Sequence, residues 1–241
     1  MKALIDEGMF KEFQRVRADY RGGQQSANVL VPVGPESGKG MPAILFVGQA
    51  TQGMVYDRTL GYQGATQACA ALCADLLVNA GRSPFWQAIR SVCSQVVRTA
   101  GLDPRLFDNP SGIVGWSNLA KIGAAEGRPK GDLVAAQREL CVEALRTEIS
   151  TMRPLATVFL SGDYLVEEIL YPSMGQEQWR NNVKDEDRVA VREHPQFGTL
   201  IWTYHPRTMR QSGIEREAIG FVAGYIAALA AKRRKAESQG K

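Results

Sequence analysis

A short apolar run that ends abruptly in small and polar residues constrains the fold of this chain most strongly. Residues 44–47, with the sequence ILFV, are rich in β-forming side chains and show no alternation with polar residues. This pattern is typical of a strand that is buried on both faces of a parallel sheet. Gly48 and Gly53 bracket the loop that follows, and glycine lets backbone N–H groups approach a ligand closely. The sequence therefore predicts a buried strand at 43–47 that leads into a candidate binding loop.

Segments of the same kind recur along the chain and alternate with helical patterns. Strands that alternate with helices indicate a parallel sheet with helices on both faces. We therefore predict an α/β fold, a three-layer αβα sandwich with a central four-stranded parallel sheet, formed by a single domain spanning residues 1–241. The other three strands are predicted at 112–118, 155–160 and 198–203, and the helices at 65–79, 83–100, 132–152, 164–170 and 214–231.

The remaining segments are predicted to flank this core. Residues 1–20 have apolar side chains at near-helical spacing, whereas residues 21–40 are rich in Gly, Pro, Ser and Gln and predict a loop across the surface. Residues 171–195 are polar and mixed in charge, which favours an insertion over one edge of the sheet. The basic tail, residues 232–241, is expected to be flexible.

Composition and charge narrow the classes of function. Hydrophobic residues make up 44% of the chain and charged residues 22%, as in an ordinary globular protein, and the net charge of +4 permits a polyanionic partner without requiring one. No run approaches the roughly 18 apolar residues of a membrane span. Acidic residues also stand where a signal peptide would have its apolar core. We expect a cytoplasmic monomer that does not associate with membranes.

A second predicted strand end carries one of the two histidines of the chain. Residues 200–202 are apolar and lead directly into Tyr204, His205 and Pro206. In open α/β sheets, ligands bind in the crevice outside the carboxyl ends of the strands. Residues 43–53 and 203–211 are therefore expected to line one crevice. The alternative is that each segment is simply a strand followed by a turn.

Five segments, taken in order, resemble motifs of the uracil-DNA glycosylase superfamily. The similarity is greatest to the group whose first motif reads GEAPG and whose members often carry an iron–sulfur cluster. The resemblance implies an α/β fold, DNA as the partner, and excision of uracil or another damaged base that is flipped out of the DNA before its N-glycosidic bond is hydrolysed. The segments are ILFVGQATQG from residue 44, LGYQGATQACAALCADLL from residue 60, GIVGWSNLAKI from residue 112, RPLATVFLSGDYLVEEIL from residue 153 and LIWTYHPRTMRQ from residue 200.

The resemblance assigns recognition of the base to two residues. Asn118 matches the Asn that reads the base edge, and an amide suits this role because it both donates and accepts hydrogen bonds. The alternative is that Asn118 only caps the turn after its strand. Tyr62 matches the aromatic residue that stacks on the flipped base, and its alternative is an ordinary core or surface position.

The resemblance assigns stabilisation of the leaving group to His205. A hydrogen-bond donor aimed at O2 of the departing base stabilises the negative charge that develops there. His194 precedes the final strand instead of following it and is the weaker candidate. Arg207 stands where the family usually has Ser, with Arg210 close by. Both arginines are predicted to hold phosphates or to fill the gap left by a flipped base, or else to be solvated turn residues.

The first motif departs from the family pattern. Gln49 and Ala50 stand in GQATQG where relatives have GEAPG, and no acid lies between Gly48 and Asp57. Gln49 can position water but cannot accept a proton, and Asp57 replaces the missing acid only if the loop folds back. We predict that Gly48, Gln49 and Ala50 contact the base, and that Gln49 and Asp57 are candidate catalytic residues beside His205.

Because the first motif lacks the acid of the family, functions other than base excision stay open. The first alternative is a non-catalytic binder of DNA lesions or free bases on the same fold. A further alternative is an α/β enzyme that acts on a nucleotide or another phosphorylated ligand in the same crevice. The chain has neither a G-x-x-x-x-G-K-[ST] phosphate loop nor a G-x-G-x-x-G after the first strand, which argues against that enzyme.

The four cysteines, Cys69, Cys73, Cys93 and Cys141, are predicted to be core thiols. Family members with a cluster have paired N-terminal cysteines, a Cys shortly after the base-reading Asn and another on the next helix. This chain has Ile122 at the position after the Asn, and only Cys141 falls near the place of a ligand. One thiolate cannot hold a cluster that needs four ligands. We therefore predict no metal and no cofactor.

Purified protein is accordingly expected to be colourless and to contain no stoichiometric iron, because the set of cluster ligands is incomplete. Elemental analysis of freshly purified protein measures this directly. A brown preparation with about four irons per chain, the content of a common cluster type, would contradict the prediction.

Overall fold

The four predicted strands form the core of a larger sheet in the computed structural model, which describes residues 1–36, 43–50, 57, 59–175 and 189–239. In chain order the strands are β1 (Lys2–Ala3), β2 (Ser26–Val29), β3 (Val33–Gly34), β4 (Ile44–Gly48), β5 (Val114–Asn118), β6 (Ile122–Ala124), β7 (Ala156–Phe159), β8 (Val189–His194) and β9 (Gly198–Thr203). The helices are α1 (Glu7–Asp19), α2 (Tyr62–Val78), α3 (Pro84–Ala100), α4 (Asp132–Met152), α5 (Tyr171–Met174), α6 (Pro206–Gln211) and α7 (Glu215–Gln239).

The main sheet has seven strands in the order β1-β3-β5-β4-β7-β9-β8. Its four central strands, β5, β4, β7 and β9, are parallel to one another. The three outer strands run antiparallel to their neighbours. The predicted α/β class and a parallel core of four strands are therefore confirmed, but this core is part of a mixed seven-stranded sheet, because antiparallel strands extend both of its edges.

Residues 21–40 were predicted as a surface loop, but the apolar part of the segment within its described residues, 21–36, enters the core; residues 37–40 lie outside the described part of the chain. The apolar part contributes β2, which pairs with β6 in a separate two-stranded sheet, and β3, which joins the main sheet. Leu30 and Val31 are fully buried, and the Leu30 N–H donates to the Lys121 carbonyl oxygen at 2.7 Å. The loop prediction was wrong because the apolar sequence VLVPV outweighs the turn-forming residues around it.

The segment predicted as an insertion at 171–195 supplies an edge strand. β8 pairs with β9 along its full length, from Val189 opposite Thr203 to His194 opposite Gly198. The predicted helix at 164–170 is a single π-helical turn, Val166–Leu170, that continues into α5. The last helix was predicted to end at residue 231 and runs on to Gln239, so the basic residues 232–235 are helical.

Helices pack on both faces of the parallel core. A Cβ on Gly115 of β5 would lie 2.5 Å from the Met152 sulfur of α4, whereas Trp116, which points to the other face, contacts Trp86 of α3 with ring centroids 5.1 Å apart. The strand interior on both faces is apolar and fully buried. In the described part of the chain, no helix is long and apolar enough to span a membrane.

Truncation of a central strand residue is expected to destabilise the fold strongly. Leu45 of β4 is fully buried between β5 and β7, so Leu45→Ala is expected to lower the free energy of unfolding by about 2–5 kcal/mol. Val78→Ala, at a side chain that is 43% exposed at the end of α2, is the control and is expected to change it by less than about 0.5 kcal/mol. Chemical denaturation measures both, and equal effects would contradict the buried position of β4.

Candidate functional site

A cleft of about 730 Å³ opens at the carboxyl ends of β4, β5 and β9. One wall is apolar and consists of side chains from α2 and the first turn of α3, namely Leu72, Leu76, Phe85 and Trp86. The structure brings six of the sequence-predicted site residues together along the rest of the cleft. They are Gly48, Gln49, Ala50, Asn118, His205 and Arg207.

The matched ends of β4 and β5 form the floor of the cleft. Gly48 pairs with Asn118 at the last position of the parallel register. A Cβ on Gly48 would lie 2.5 Å from Asn118 Oδ1 and 2.9 Å from the Phe85 ring. Any larger residue would therefore displace the Asn118 amide or the Phe85 ring. This close approach is the physical reason for glycine at position 48.

The turn after β5 ties Asn118 to the first loop. Asn118 is only 4% exposed, and the next two backbone N–H groups turn back toward β4. Leu119 N–H donates to the Gly48 carbonyl oxygen at 2.9 Å, and Ala120 N–H donates to the Gln49 carbonyl oxygen at 3.1 Å. The backbone that follows Asn118 and the start of the first loop are therefore fixed relative to each other.

The side chain of Gln49 bridges two loops. Its Nε2 donates to the Ser161 carbonyl oxygen at 2.6 Å, and its Oε1 accepts from Arg128 Nη1 at 3.2 Å. Arg128 also lies over the Tyr164 ring, with its guanidinium carbon 4.9 Å from the ring centroid. The side-chain amide of Gln49 is thus engaged at both ends, and it links the ends of β4 and β7 to the loop before α4.

His205 is held as a neutral ring at the start of α6. Its Nδ1 accepts from the Arg207 N–H at 3.2 Å, so the ring proton resides on Nε2. Burial is the main cause that lowers the pKa of His205 to about 4, and the nearby Arg207 and Arg128 guanidinium groups contribute to this shift. The ring is therefore neutral near pH 7, with Nε2–H as its donor.

The turn after β7 supports the His205 backbone. Gly162 has a positive φ of 57°, and its N–H donates to the Thr203 carbonyl oxygen at 3.1 Å. A Cβ at this position would lie 3.3 Å from the His205 backbone nitrogen. The left-handed backbone and the tight contact both favour glycine here, and together they bring the ends of β7 and β9 into contact.

Two of the predicted residues lie away from the cleft lining. The Tyr62 hydroxyl donates to the Ile5 carbonyl oxygen at 2.6 Å, and the Tyr62 ring packs against Phe10 with centroids 5.9 Å apart. The Arg210 guanidinium pairs with the Glu215 carboxylate at 2.7 Å. Neither side chain is among the described residues that line the cleft.

Asp57 also lies outside the described lining of the cleft. Its exposed carboxylate accepts hydrogen bonds from the Thr59 N–H at 2.9 Å and from the Thr59 hydroxyl at 2.7 Å. These two bonds hold the pKa of Asp57 below its ordinary value. The carboxylate therefore stabilises a local turn. The predicted loop residues 51–56 fall outside the described part of the chain.

The second histidine has a separate structural role. His194 ends β8 at the edge of the sheet that lies opposite the cleft, because its partner Gly198 begins β9. Its Nδ1 accepts from the N–H groups of Gln196 and Phe197 at 3.0 and 3.2 Å. These bonds fix the tight turn between the two strands, and the geometry places only His205 in the cleft.

Sequence reasoning missed three contributors to the cleft region. Arg128 lies in a basic, glycine-containing loop, and that composition was the available signal. Phe85 follows the Ser-Pro start of α3, which marks a helix start but gives no indication of a cleft wall. Lys121 and Glu148 form a fully buried ion pair beneath Asn118, with 2.9 Å between Nζ and Oε1. No local pattern in the sequence signals that pair.

The four cysteines are buried free thiols. Burial raises the pKa of Cys69 to about 11 and those of Cys73 and Cys141 to about 12, and it raises the pKa of Cys93 as well. Among the described residues, no three His, Cys, Asp or Glu side chains come together as a metal site. The residues present therefore do not fit the ligand set of an iron–sulfur cluster.

Comparison with known proteins adds no family assignment to this geometry. No family model matches the chain. A search of curated proteins likewise finds no match. The function is therefore argued from the cleft itself.

The protonation state of His205 can be measured directly. NMR correlation of the ring nitrogens and protons is expected to show Nε2–H and a titration midpoint of about 4. Because the unfolded value is near 6.5, the unfolded chain binds more protons between these pH values. His205 therefore lowers the stability of the fold as the pH falls from about 6.5 toward 4. The variant H205Q assigns the signals, and a midpoint near 6.5, or a proton on Nδ1, would contradict the site geometry.

Proposed function

We propose that this protein is a DNA glycosylase that accepts an extruded damaged base, such as uracil, in the cleft and hydrolyses its N-glycosidic bond. The observation that carries the proposal is the convergence of Asn118, Gln49 and His205, from three separate strand ends, on one cleft. Each of these residue types suits one requirement of base excision. The five-segment resemblance to the uracil-DNA glycosylase superfamily supports the same assignment.

Recognition of the base falls to the Asn118 amide. The edge of a pyrimidine presents both donors and acceptors, and an amide can pair with both. At a buried position, an unmatched base edge leaves polar groups without partners, which costs about 1–3 kcal/mol per group. Because of this cost, Asn118 would favour a base whose edge matches the amide over a base whose edge does not.

Stacking on the base falls to the apolar wall of the cleft. Phe85 and the Asn118 amide both lie close to Gly48 and line the same cleft, so a base paired with Asn118 would lie near this ring. Base–aromatic stacking contributes about 1–3 kcal/mol per base and tolerates different bases. Phe85 therefore takes the role that the resemblance assigns to Tyr62.

Stabilisation of the leaving group falls to His205. When water adds to the sugar carbon and the glycosidic bond breaks, the bonding electrons leave with the base as negative charge, and the proton that the water loses then neutralises the departed base. The neutral ring offers Nε2–H as a donor to that charge without itself giving up a proton. One preorganised donor of this kind contributes about 10²–10³ in rate. Gln49 Oε1 orients the attacking water.

Contact with the DNA backbone falls to the arginines of the cleft. Arg128 and Arg207 line it, and no carboxylate is among its described lining residues. This balance of charge favours a polyanionic ligand, because each phosphate neutralised by an arginine releases counterions. Arg210 is less suited to this role, since the Glu215 carboxylate already neutralises it.

The remaining features of the proposal are those expected from the sequence. The protein would be a cytoplasmic monomer with a three-layer αβα sandwich, and it would act without a metal or cofactor. Water, the extruded base and the side chains of the cleft are sufficient for the hydrolysis.

One observation favours a second candidate, a non-catalytic binder of DNA lesions. The described lining of the cleft contains no carboxylate to accept a proton, and the Gln49 amide is engaged at both ends, by Ser161 and Arg128. A cleft of this kind can recognise a base while activating water poorly. Excision and retention must therefore be measured separately.

Substitution of His205 separates the two candidates. Labelled duplexes that each carry one modified base are assayed for abasic sites and for retention of the DNA. If the protein is a glycosylase, His205→Ala is expected to slow single-turnover excision by about 10²-fold, with a far smaller change in binding, because its bond forms mainly in the transition state. Asn118→Ala is expected to weaken both.

His194→Ala is the matched control, since it removes the other histidine at a distance from the cleft, and it is expected to leave excision unchanged. If the wild type excises nothing but retains one lesion, and His205→Ala retains it equally well, the protein is a binder. If no modified base is excised or retained, the proposal fails altogether.

A further inference from the structure

A buried charged cluster lies beneath the Asn118 amide. It adds no apolar packing to the core, and it is not part of the described lining of the cleft. Lys121 and Glu148 are both 0% exposed. Lys121 Nζ lies 2.9 Å from Glu148 Oε1 and donates to Ser117 Oγ at 3.0 Å. It also donates a short hydrogen bond to the Asn118 carbonyl oxygen. A single ammonium group thus binds the strand end and α4 together.

Stability alone does not explain this cluster. Transferring two charges from water to the interior is costly, and replacing a buried ion pair with apolar side chains of similar volume is often neutral or stabilising. Contact with solvent does not reduce that cost, because Ser117 beside the pair is also fully buried. The pair therefore calls for a role beyond stabilising the fold.

The position of the cluster indicates that role. Successive residues of a strand point to opposite faces, so Ser117 faces α4 whereas Asn118 faces the cleft. Lys121 holds the Asn118 main chain from the α4 side, directly behind the recognition amide. Displacement of this main chain would move the amide, and it would also move Gln49, whose carbonyl oxygen accepts from the Ala120 N–H.

A second polar clamp from α4 holds the same turn. Gln137, which is fully buried, accepts from the Ile122 N–H at 2.8 Å and donates to the Ile122 carbonyl oxygen at 2.9 Å. This clamp keeps the backbone at residue 122 in place when the ion pair is removed. Loss of the ion pair is therefore expected to loosen the position of Asn118 without unfolding the turn.

We propose that Lys121, fixed by Glu148, is a positioning residue that holds the Asn118 amide in its base-recognising orientation. The inference rests on the proposed function, because the orientation matters only if Asn118 contacts a base. The effect of the pair on the stability of the fold can therefore be measured apart from its effect on base recognition. Removal of both charges should preserve the fold and impair recognition.

The double variant Lys121→Met/Glu148→Met tests this, because it removes both charges together and leaves neither one buried without a partner. Its thermal midpoint is expected to equal or exceed that of the wild type. Its single-turnover excision is expected to fall by about 10²-fold, the scale of a misplaced reacting geometry, and its affinity for the lesion duplex is expected to fall as well. The NMR signals of the Asn118 side-chain amide are expected to shift or broaden in the free protein.

The matched control is Glu7→Met/Lys11→Met, which removes an exposed ion pair of the same type, with 2.8 Å between Nζ and Oε1, on α1. It is expected to leave excision and the Asn118 signals unchanged. The positioning role is overturned if the Lys121/Glu148 variant excises and binds like the wild type, or if its activity falls only in step with its thermal midpoint. If the wild type neither excises nor binds any modified base, the proposed function fails, and unchanged Asn118 signals in the variant would then overturn the positioning role independently.

Discussion

The cleft depends on the register in which β4 and β5 end side by side. Their last pair, Gly48 and Asn118, places an amide directly above a residue that has no side chain. The missing Cβ leaves room for both the Asn118 amide and the Phe85 ring. A one-residue slip of β5 would turn the amide to the opposite face of the sheet, and a slip of β4 would place a residue other than Gly48 beside it. The position of the Asn118 amide is therefore set by strand pairing, and the loops add to it.

In the proposed function, the charges of the cleft would connect DNA binding to the protonation state of His205. Arg207 and Arg128 both lower the pKa of His205, and both line the cleft that would receive a phosphate. A bound phosphate would partly offset their positive charge at the ring. The extra proton would still have to overcome the cost of burial, which is the largest cause of the lowered pKa. The same arginines can therefore bind DNA while the ring remains a neutral donor.

The sequence predicts the parts of this structure that carry strong local signals. The strand β4 is an unbroken apolar run, Asn118 is the last residue of β5 and His205 lies two residues after the end of β9. Their meeting in one cleft follows from the parallel order of these strands. β3 has only two residues and pairs with strands that are distant in sequence, whereas β8 has six and pairs with β9 across a tight turn. Neither was predicted, because polar and turn-forming residues dominate the composition of the segments that contain them. The position of Tyr62 depends on the rotation of α2 about its axis and on the Ile5 carbonyl oxygen that its hydroxyl reaches. The contact between Lys121 and Glu148 spans a loop and most of a helix, so residue spacing alone cannot predict it.

We expect the cleft at the ends of β4, β5 and β9 to receive a base extruded from DNA. A crystal structure of the protein with a duplex tests this most directly, if the duplex carries the most tightly retained base on a 2′-fluorinated sugar that resists cleavage. We expect the base to lie outside the DNA helix, beside Phe85, with its edge within hydrogen-bond distance of the Asn118 amide. A flanking phosphate is expected to lie near Arg207. A base that remains stacked in the duplex, or DNA bound to a surface away from the cleft, would contradict the proposed base-binding role of the cleft.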